Sequence, residues 1–452
     1  MQTLEPPPIS GSEAPDHAAV LKEKIRNKSA AIAVVGVGYV GLPLAVEKAK
    51  VGFPVCGFDR NAIRVAQINR GMNYIRDVSD VELSTVVSAG KLSASSDFST
   101  LGEYDVIVIC VPTPLTANRD PDISYIQSVA REIAQHLRPG QLVSLESTTY
   151  PGTTEEVLLP ILAGSGLAVG VDFFLSFSPE RVDPGNKRYT TKNTNKVVGG
   201  VTAVCLDVAR TFYEQTILKV VCVSSPRVAE MTKVFENAFR AVNIAMVNEM
   251  ALLCDRMGIN IWEVIDTAAT KPFGIMRFDP GPGVGGHCIP LDPFYLTWKA
   301  RQYDFHTRFI ELAGEINVLM PYFVREKITR ALNQQGQALK NARIILIGIS
   351  YKRDTDDWRE SPALKVLDLL ENDGAFVDYH DLHVPSFQDA RGRLRSSVPI
   401  FEDSLAAANC VVVTTDHSDV DWQHVVTHAR LVVDTRNATK NITSHREKII
   451  LL

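Results

Sequence analysis

An unbroken apolar run, Ala31-Ile-Ala-Val-Val35, passes directly into Gly36-Val-Gly-Tyr-Val-Gly41 and then into a helical segment, Leu42 to Val51. Few folds accept that order. A strand without polar alternation must be covered on both faces, which is the situation inside a parallel sheet. Three glycines spaced as Gly-x-Gly-x-x-Gly let the chain turn sharply, expose backbone N–H groups and bring the next helix close to the strand. The segment predicts the first strand, turn and helix of a doubly wound α/β sheet.

The next strand, Pro54 to Phe58, ends at Asp59. An acid at that place accepts hydrogen bonds from both hydroxyls of a ribose and repels a 2′-phosphate, so NAD is expected rather than NADP. Arg60 and Arg64 stand beside it. Gly36, Val37, Gly38, Tyr39, Val40, Gly41, Asp59 and Arg64 are the expected cofactor contacts. The competing reading is a glycine turn in a sheet that binds no nucleotide; strand, turn, helix and acid in that order count against it.

Further strands are expected at Val106 to Val111, Leu142 to Glu146 and Phe173 to Phe177, with helices between most of them. Residues 1–17, rich in Pro, Ser and Glu, read as a disordered tail, and a short helix is expected at Ala18 to Arg26. From Pro226 to Met257, apolar residues such as Val228, Met231, Val234, Phe235, Ala238 and Phe239 recur at helical spacing on more than one face. Another helix is expected from Phe309 to Leu332. A second α/β pattern follows: strands at Arg343 to Gly348, Ala375 to Tyr379, Cys410 to Thr414 and Leu431 to Asp434, and a helix at Pro362 to Asp373. It has only Gly348 where the first half has three spaced glycines. The expected architecture is α/β, two Rossmann-like doubly wound domains joined by a central all-helical domain. The boundaries are 18–205, 206–330 and 331–452. Greasy central helices of this kind fit a homodimer or larger homo-oligomer, although packing within one chain explains them too.

A chain of 452 residues is long enough for two or three domains with real cores. Its net charge of −5 and lack of a basic run argue against nucleic acid. No apolar stretch reaches membrane-spanning length and no signal-like core opens the chain, so no membrane association is expected and the cytoplasm is the expected compartment. The seven cysteines form no Cys-x-x-Cys pair, which argues against a zinc site or a disulfide framework. Six of them lie in apolar strand-like or helix-like text and are expected to be buried. Cys288 alone lies among glycines and a histidine, in Gly281-Pro-Gly-Val-Gly-Gly-His-Cys-Ile-Pro-Leu-Asp292.

A dinucleotide site removes hydride. A thiolate can add to an aldehyde, giving a thiohemiacetal that loses a second hydride and becomes a thioester, which water cleaves. Together the two features suggest four-electron oxidation of an alcohol to an acid. That route needs oxyanion donors and a base for water. Candidates are Asp292, four residues after Cys288; Glu180, in Ser178-Pro-Glu-Arg-Val-Asp183; and Lys233 with Asn237, at i and i+4 on the long helix. Each has a plainer reading. Cys288 could be structural, Lys233 and Asn237 a solvated helix face, Glu180 a partner of Arg181, and Asp292 a cap for the helix after Pro293.

Ordered blocks then carry a family signature: Val35 to Pro43, Val111-Pro-Thr-Pro114, Glu146-Ser-Thr-Thr-Tyr-Pro-Gly152, Ser178-Pro-Glu180, Lys233-Val-Phe-Glu-Asn237, Gly285-Gly-His-Cys288 with Asp292, and Tyr351-Lys-Arg-Asp-Thr355 with Asp357-Trp-Arg-Glu-Ser361. The chain resembles the nucleotide-sugar 6-dehydrogenases, the UDP-glucose and UDP-N-acetylhexosamine dehydrogenases, from about Ile25 to Val433. The resemblance implies that Cys288 is the nucleophile, that Lys233 and Asn237 steady the oxyanion, that Asp292 handles protons through water and that Glu180 serves thioester hydrolysis. It places Thr113 and Thr148 near the nicotinamide of NAD and Arg359 near the cofactor. It assigns Glu180, Arg181, Lys233, Asn237, Arg277, Gly281, Gly285 and Lys352 to the sugar nucleotide, and the C-terminal domain to UDP. No metal is implied.

Departures from the UDP-glucose branch are Pro184 for a second glutamate, Leu291 for Lys and His287 for Ser. These, with Lys271-Pro-Phe-Gly274 and His287 to Leu296, resemble the N-acetylhexosamine branch instead, UDP-N-acetylglucosamine 6-dehydrogenases above all. The expected reaction is oxidation of the C6 alcohol of such a sugar to the uronate, for surface polysaccharide or O-antigen synthesis. Oxidation of UDP-glucose, UDP-N-acetylmannosamine or UDP-N-acetylgalactosamine is the alternative, and a nucleotide-sugar sensor without catalysis is the non-enzymatic one.

Overall fold

The computed structural model describes residues 16–75, 78–116, 120–181, 188–286, 289 and 291–452. Fifteen strands occur among them: β1 (Ile32–Val35), β2 (Val55–Phe58), β3 (Leu92–Ser95), β4 (Val106–Ile109), β5 (Leu142–Leu145), β6 (Phe174–Phe177), β7 (Lys196–Gly200), β8 (Val220–Val223), β9 (Arg343–Ile347), β10 (Phe376–His380), β11 (Ser386–Gln388), β12 (Leu394–Ser396), β13 (Cys410–Val413), β14 (Val432–Asp434) and β15 (Ile449–Leu451). The chain divides into two compact units. The first runs to Pro114 and resumes over Asp122–Lys233; the second takes Leu115–Pro121 and Val234–Leu452.

In the first unit the sheet order is β3-β2-β1-β4-β5-β6-β7-β8. Strands β1 to β6 are mutually parallel, and β7 turns against β6 with Phe177 opposite Gly199. β8 is parallel to β7, so these two run opposite to the other six. Side chains alternate between the faces. Ile32, Val34, Val106 and Val108 enter one buried cluster, while Ala33, Val35, Ile107 and Ile109 enter the other. Both faces are covered, which explains why β1 carries no polar residue. Each buried Val or Ile contributes about 1.5–3 kcal/mol. The order reverses between β1 and β4, so their carboxyl ends flank the crevice where doubly wound sheets take ligands.

The second unit holds a parallel sheet in the order β10-β9-β13-β14-β15 and the antiparallel pair β11–β12. Ile344 and Leu346 face one cluster, Ile345 and Ile347 the other. The helices Ile261–Ala268, Asp292–Ala300 and Arg308–Gln334 and most of the long helix Pro226–Met257 also belong to this unit. No helix among the described residues is long and apolar enough to cross a membrane.

Several sequence expectations change. The N-terminal helix starts at His17, capped by the Asp16 carboxylate; the rest of the expected tail lies outside the described residues. Strands β3, β7, β8, β11, β12 and β15 were not expected: β3 and β8 are sheet edges, β7 opens with a lysine and closes on two glycines, and β11, β12 and β15 are three residues long. Burial of six cysteines was too simple. Cys56, Cys110, Cys205 and Cys410 are buried, Cys254 is partly so, and Cys222 is exposed because β8 is an edge strand.

Candidate active site

Gly36 leaves β1 at φ 90°, and a Cβ there would lie 2.6 Å from the Cys110 carbonyl. Gly41 opens the next helix so close to the turn that a Cβ would come within 1.9 Å of the Gly36 carbonyl. These approaches require glycine and leave the helix N-terminus, with its outward N–H groups, at the crevice. Asp59 ends β2 with its carboxylate 13% exposed. It accepts from Val37 N–H at 3.3 Å and Asn61 N–H at 2.8 Å, and Arg64 Nη1 lies 3.5 Å away. Tyr74 Oη donates to the Val37 carbonyl at 2.6 Å, which braces the turn from outside. After β4 and β5, Thr113 Oγ1 donates to the Thr148 carbonyl at 2.7 Å and Ser147 Oγ to the Val111 carbonyl at 2.7 Å. Thr113 and Thr148 therefore stand at the same edge as the glycine turn.

Beneath that edge lies a buried polar cluster. Lys196 Nζ sits 2.7 Å from Glu146 Oε2 and 3.5 Å from Glu180 Oε2; the lysine and Glu146 side chains are 5% and 0% exposed, Glu180 16%. Tyr213 Oη donates to Glu146 Oε1 at 2.7 Å and meets Ser144 Oγ at 2.8 Å. Burial would lower the Lys196 pKa, but the Glu146 and Glu180 charges outweigh it and raise it. Burial, reinforced by Glu146, pushes the Cys110 thiol well up, so this cysteine stays protonated. Glu180 also accepts from Arg181 N–H at 2.8 Å, and the Arg181 guanidinium reaches the Asn195 carbonyl at 2.7 Å. Glu180 is therefore more than the partner of its neighbour. Glu230, on the long helix, is fully buried and accepts from Thr154 N–H at 2.9 Å and from Gly152 N–H. It closes the Pro151-Gly152 turn one helical turn before Lys233.

Lys233 and Asn237 are 9% and 6% exposed, so they are not a solvated face. Within the second unit, Asn237 Nδ2 donates to Asp292 Oδ2, and Asp292 is 4% exposed. Asp292 is the first residue of its helix, not its cap. Gly281 N–H donates to Asn248 Oδ1 at 3.0 Å, and Gly281 passes so near Arg436 that a Cβ would lie 2.5 Å from Nη1. Gly285 packs on Tyr351 and Pro362 in the same way. Arg277 is exposed and paired with Asp266 and, at 2.9 Å, with Asp279. The Lys352 carbonyl accepts from Ser350 and Thr355 hydroxyls at 2.9 and 2.8 Å, and Arg359 forks onto Asp357 at 2.9 and 3.0 Å. Cys288 and His287 lie outside the described residues.

Three family domains match in order. Residues 30–217 match the UDP-glucose/GDP-mannose dehydrogenase family NAD binding domain, 227–318 its central domain and 345–441 its UDP binding domain. The chain belongs to the UDP-glucose/GDP-mannose dehydrogenase family. It is 36% identical over 415 residues to the UDP-N-acetyl-D-mannosamine dehydrogenase of Pyrococcus horikoshii, covering 90% of this chain and 96% of that protein. It is 35% identical over 394 residues to the UDP-N-acetyl-D-glucosamine 6-dehydrogenase of Pseudomonas aeruginosa, covering 87% and 92%. The solved structure of the Pyrococcus horikoshii enzyme matches with TM-score 0.83 at 34% identity, over 93% of this chain and 98% of that one. As a member of the family, the chain is an NAD-dependent oxidoreductase. The glycine turn, the Asp59 carboxylate and the open helix N-terminus fit that cofactor.

The sequence reading singled out neither Lys196, Tyr213, Glu230 nor Arg436, and gave Glu146 no role. Lys196 opens a five-residue strand whose direction the sequence does not show. No local pattern marks Glu146, Tyr213, Glu230 or Arg436.

Proposed function

We propose that this enzyme oxidises the C6 alcohol of a UDP-N-acetylhexosamine, UDP-N-acetylglucosamine foremost, to the uronate. The buried Asn237–Asp292 pair, whose aspartate follows Cys288 by four residues, is the observation that carries the reading. NAD would be held by the Gly36–Gly41 turn and Asp59, with Thr113 and Thr148 toward its nicotinamide and Arg359 as a further cofactor contact, and would accept each hydride, two per sugar. Asp292, hydrogen-bonded by Asn237, takes the C6 hydroxyl proton through water as the first hydride leaves. The Cys288 thiolate adds to the resulting aldehyde, and Lys233 and Asn237 stabilise the oxyanion of the thiohemiacetal. Loss of the second hydride leaves a thioester on Cys288. Glu180 takes a proton from water, whose oxygen attacks the thioester; the C–S bond breaks and the thiolate is restored. One alcohol, two NAD and one water become one carboxylate, two NADH and three protons. Arg181, Arg277, Gly281, Gly285 and Lys352 contact the sugar nucleotide.

UDP-N-acetylmannosamine is the second reading, supported by the Pyrococcus horikoshii relative. Assaying NADH formation with UDP-N-acetylglucosamine, UDP-N-acetylmannosamine, UDP-N-acetylgalactosamine and UDP-glucose side by side decides between them. Turnover of UDP-glucose alone would overturn the assignment. Cys288→Ser should abolish uronate formation while NAD still binds, and normal uronate production by it would refute the mechanism. The product, a nucleotide uronate, is suited to surface polysaccharide synthesis in the cytoplasm.

The domain boundaries 18–205, 206–330 and 331–452 belong to this proposal, with the middle part as the dimerisation domain. Val228, Met231, Phe235, Phe239, Met246, Met250, Leu253 and Met257 recur on the long helix at steps of three, four and, once, seven residues and are exposed. That stripe suits a second copy of the chain. Phe235→Glu should halve the mass seen in light scattering; an unchanged mass would exclude this face as the interface.

A further inference from the structure

Lys196 is placed by an irregularity of the sheet. In a parallel strand the first residue lies at the amino edge, away from the ligand crevice. β7 runs the other way, with Gly199 opposite Phe177, so its first residue comes to the carboxyl edge of β6, beside Ser178-Pro179-Glu180. Ser178 Oγ donates to the Val197 carbonyl at 2.8 Å and fixes that juxtaposition. The ammonium of Lys196 then lies between two carboxylates, 2.7 Å from Glu146 and 3.5 Å from Glu180. Glu146 is wholly buried and also takes the Tyr213 hydroxyl, so it works as a fixed anchor for the ammonium. Glu180, part-exposed, is the member of the trio that can meet water.

We infer that Lys196 is a positioning residue for the hydrolytic step, holding the Glu180 carboxylate ionised and fixed in direction. The inference rests on the reading above that Glu180 activates the water that cleaves the thioester. A general base must be ionised to act, and an ammonium within 4 Å favours the ionised carboxylate. Among the described residues of this unit, Lys196 and Arg181 lie against Glu180, Cys110 is near enough to feel its charge, and Glu146, Tyr213 and the buried Lys48 stand behind them. Burial pushes the Cys110 thiol up and the Lys48 ammonium down, whereas the Glu146 and Glu180 charges raise Lys196, the ammonium that lies against Glu180. Glu146 compensates its burial.

The test is the pH dependence of turnover with the UDP-N-acetylhexosamine that the side-by-side assay selects. Lys196→Met alone strands the Glu146 charge in the core, so Lys196→Met with Glu146→Gln is made as well; the amide still accepts from Tyr213. In the folded double variant the acidic limb of kcat should move to higher pH by at least about one pH unit, making turnover on that limb about tenfold slower. Acyl-enzyme should accumulate there, seen in the intact-protein mass after quenching. Lys196→Arg, which keeps the charge, should retain the original limb. A folded double variant with the original limb and no accumulated acyl-enzyme would overturn the role of Lys196. Glu180→Gln separates the two levels. If it accumulates acyl-enzyme while the lysine variants behave as wild type, only the Lys196 inference fails. If it does not, the reading of Glu180 fails, and the Lys196 inference with it.

Discussion

The two sheets begin with the same backbone device and use it in opposite ways. In each, a glycine at φ 90° follows the first strand and donates its N–H to the strand beside it: Gly36 to Phe58 at 2.7 Å, Gly348 to His380 at 2.9 Å. In each, an aspartate ends that neighbouring strand and accepts the N–H of the residue after the glycine. The carboxylates then part ways. Asp59 is reached loosely, at 3.3 Å by Val37 N–H, and keeps a solvent-facing side. Asp381 is buried and accepts from four backbone N–H groups, of Ile349, Ser350, His383 and Val384, and contacts His417 at 3.1 Å. The first turn runs at once into a helix at Gly41; the second continues as a loop until Ser361 caps Pro362–Asn372. One aspartate can still engage a ligand's hydroxyls. The other has spent its lone pairs on the chain itself. The same turn thus makes a dinucleotide site in one unit and a rigid loop base in the other.

The comparison breaks most readily at Gly41. Gly41→Ala drives a Cβ into the Gly36 carbonyl and should lower NAD affinity on the order of a hundredfold, about 3 kcal/mol, by calorimetric titration, while UDP binding persists. Equal loss of both ligands would mean that the turn supports the whole chain rather than the cofactor. Next come the aspartates. Asp381→Asn presents an amide N–H₂ to converging backbone donors and should cost about 2–3 kcal/mol in denaturant unfolding, with little change in NAD affinity. Asp59→Asn should do the reverse, weakening NAD about tenfold with a stability change within about 0.5 kcal/mol.

A further effect is in acid. Burial tends to raise the Asp381 carboxyl, but the His417 contact and the backbone N–H groups outweigh it and hold it down at about 2. A carboxyl lowered in the folded state stabilises above its unfolded value, near 4, and that contribution disappears as pH falls through 2. Roughly 2 kcal/mol of stability should therefore be lost between pH 4 and pH 2, and Asp381→Asn should lack that part of the acid dependence. An identical acid profile in the two proteins would show that Asp381 is not held in this way.

Much of this was legible because strand, turn and helix signals coincide. The run Ala31–Val35, the glycines and Asp59 each demand a local geometry, and all three demands agree. The long helix was legible for a similar reason, since its apolar residues keep helical spacing from Val228 onward. Lys196 was not, because its importance depends on β7 reversing direction, and strand direction leaves no mark on a five-residue run. Arg436, and the role of Asp381 beyond ending its strand, were invisible for a related reason. Their roles come from contacts across the second sheet, with Gly281 and His417, that no local pattern encodes.

Four-electron oxidation is tested most directly by a count: NADH formed per UDP-N-acetylhexosamine consumed by the wild-type enzyme, with the sugar product identified. Two NADH and the uronate are predicted. One NADH with release of the aldehyde would contradict it.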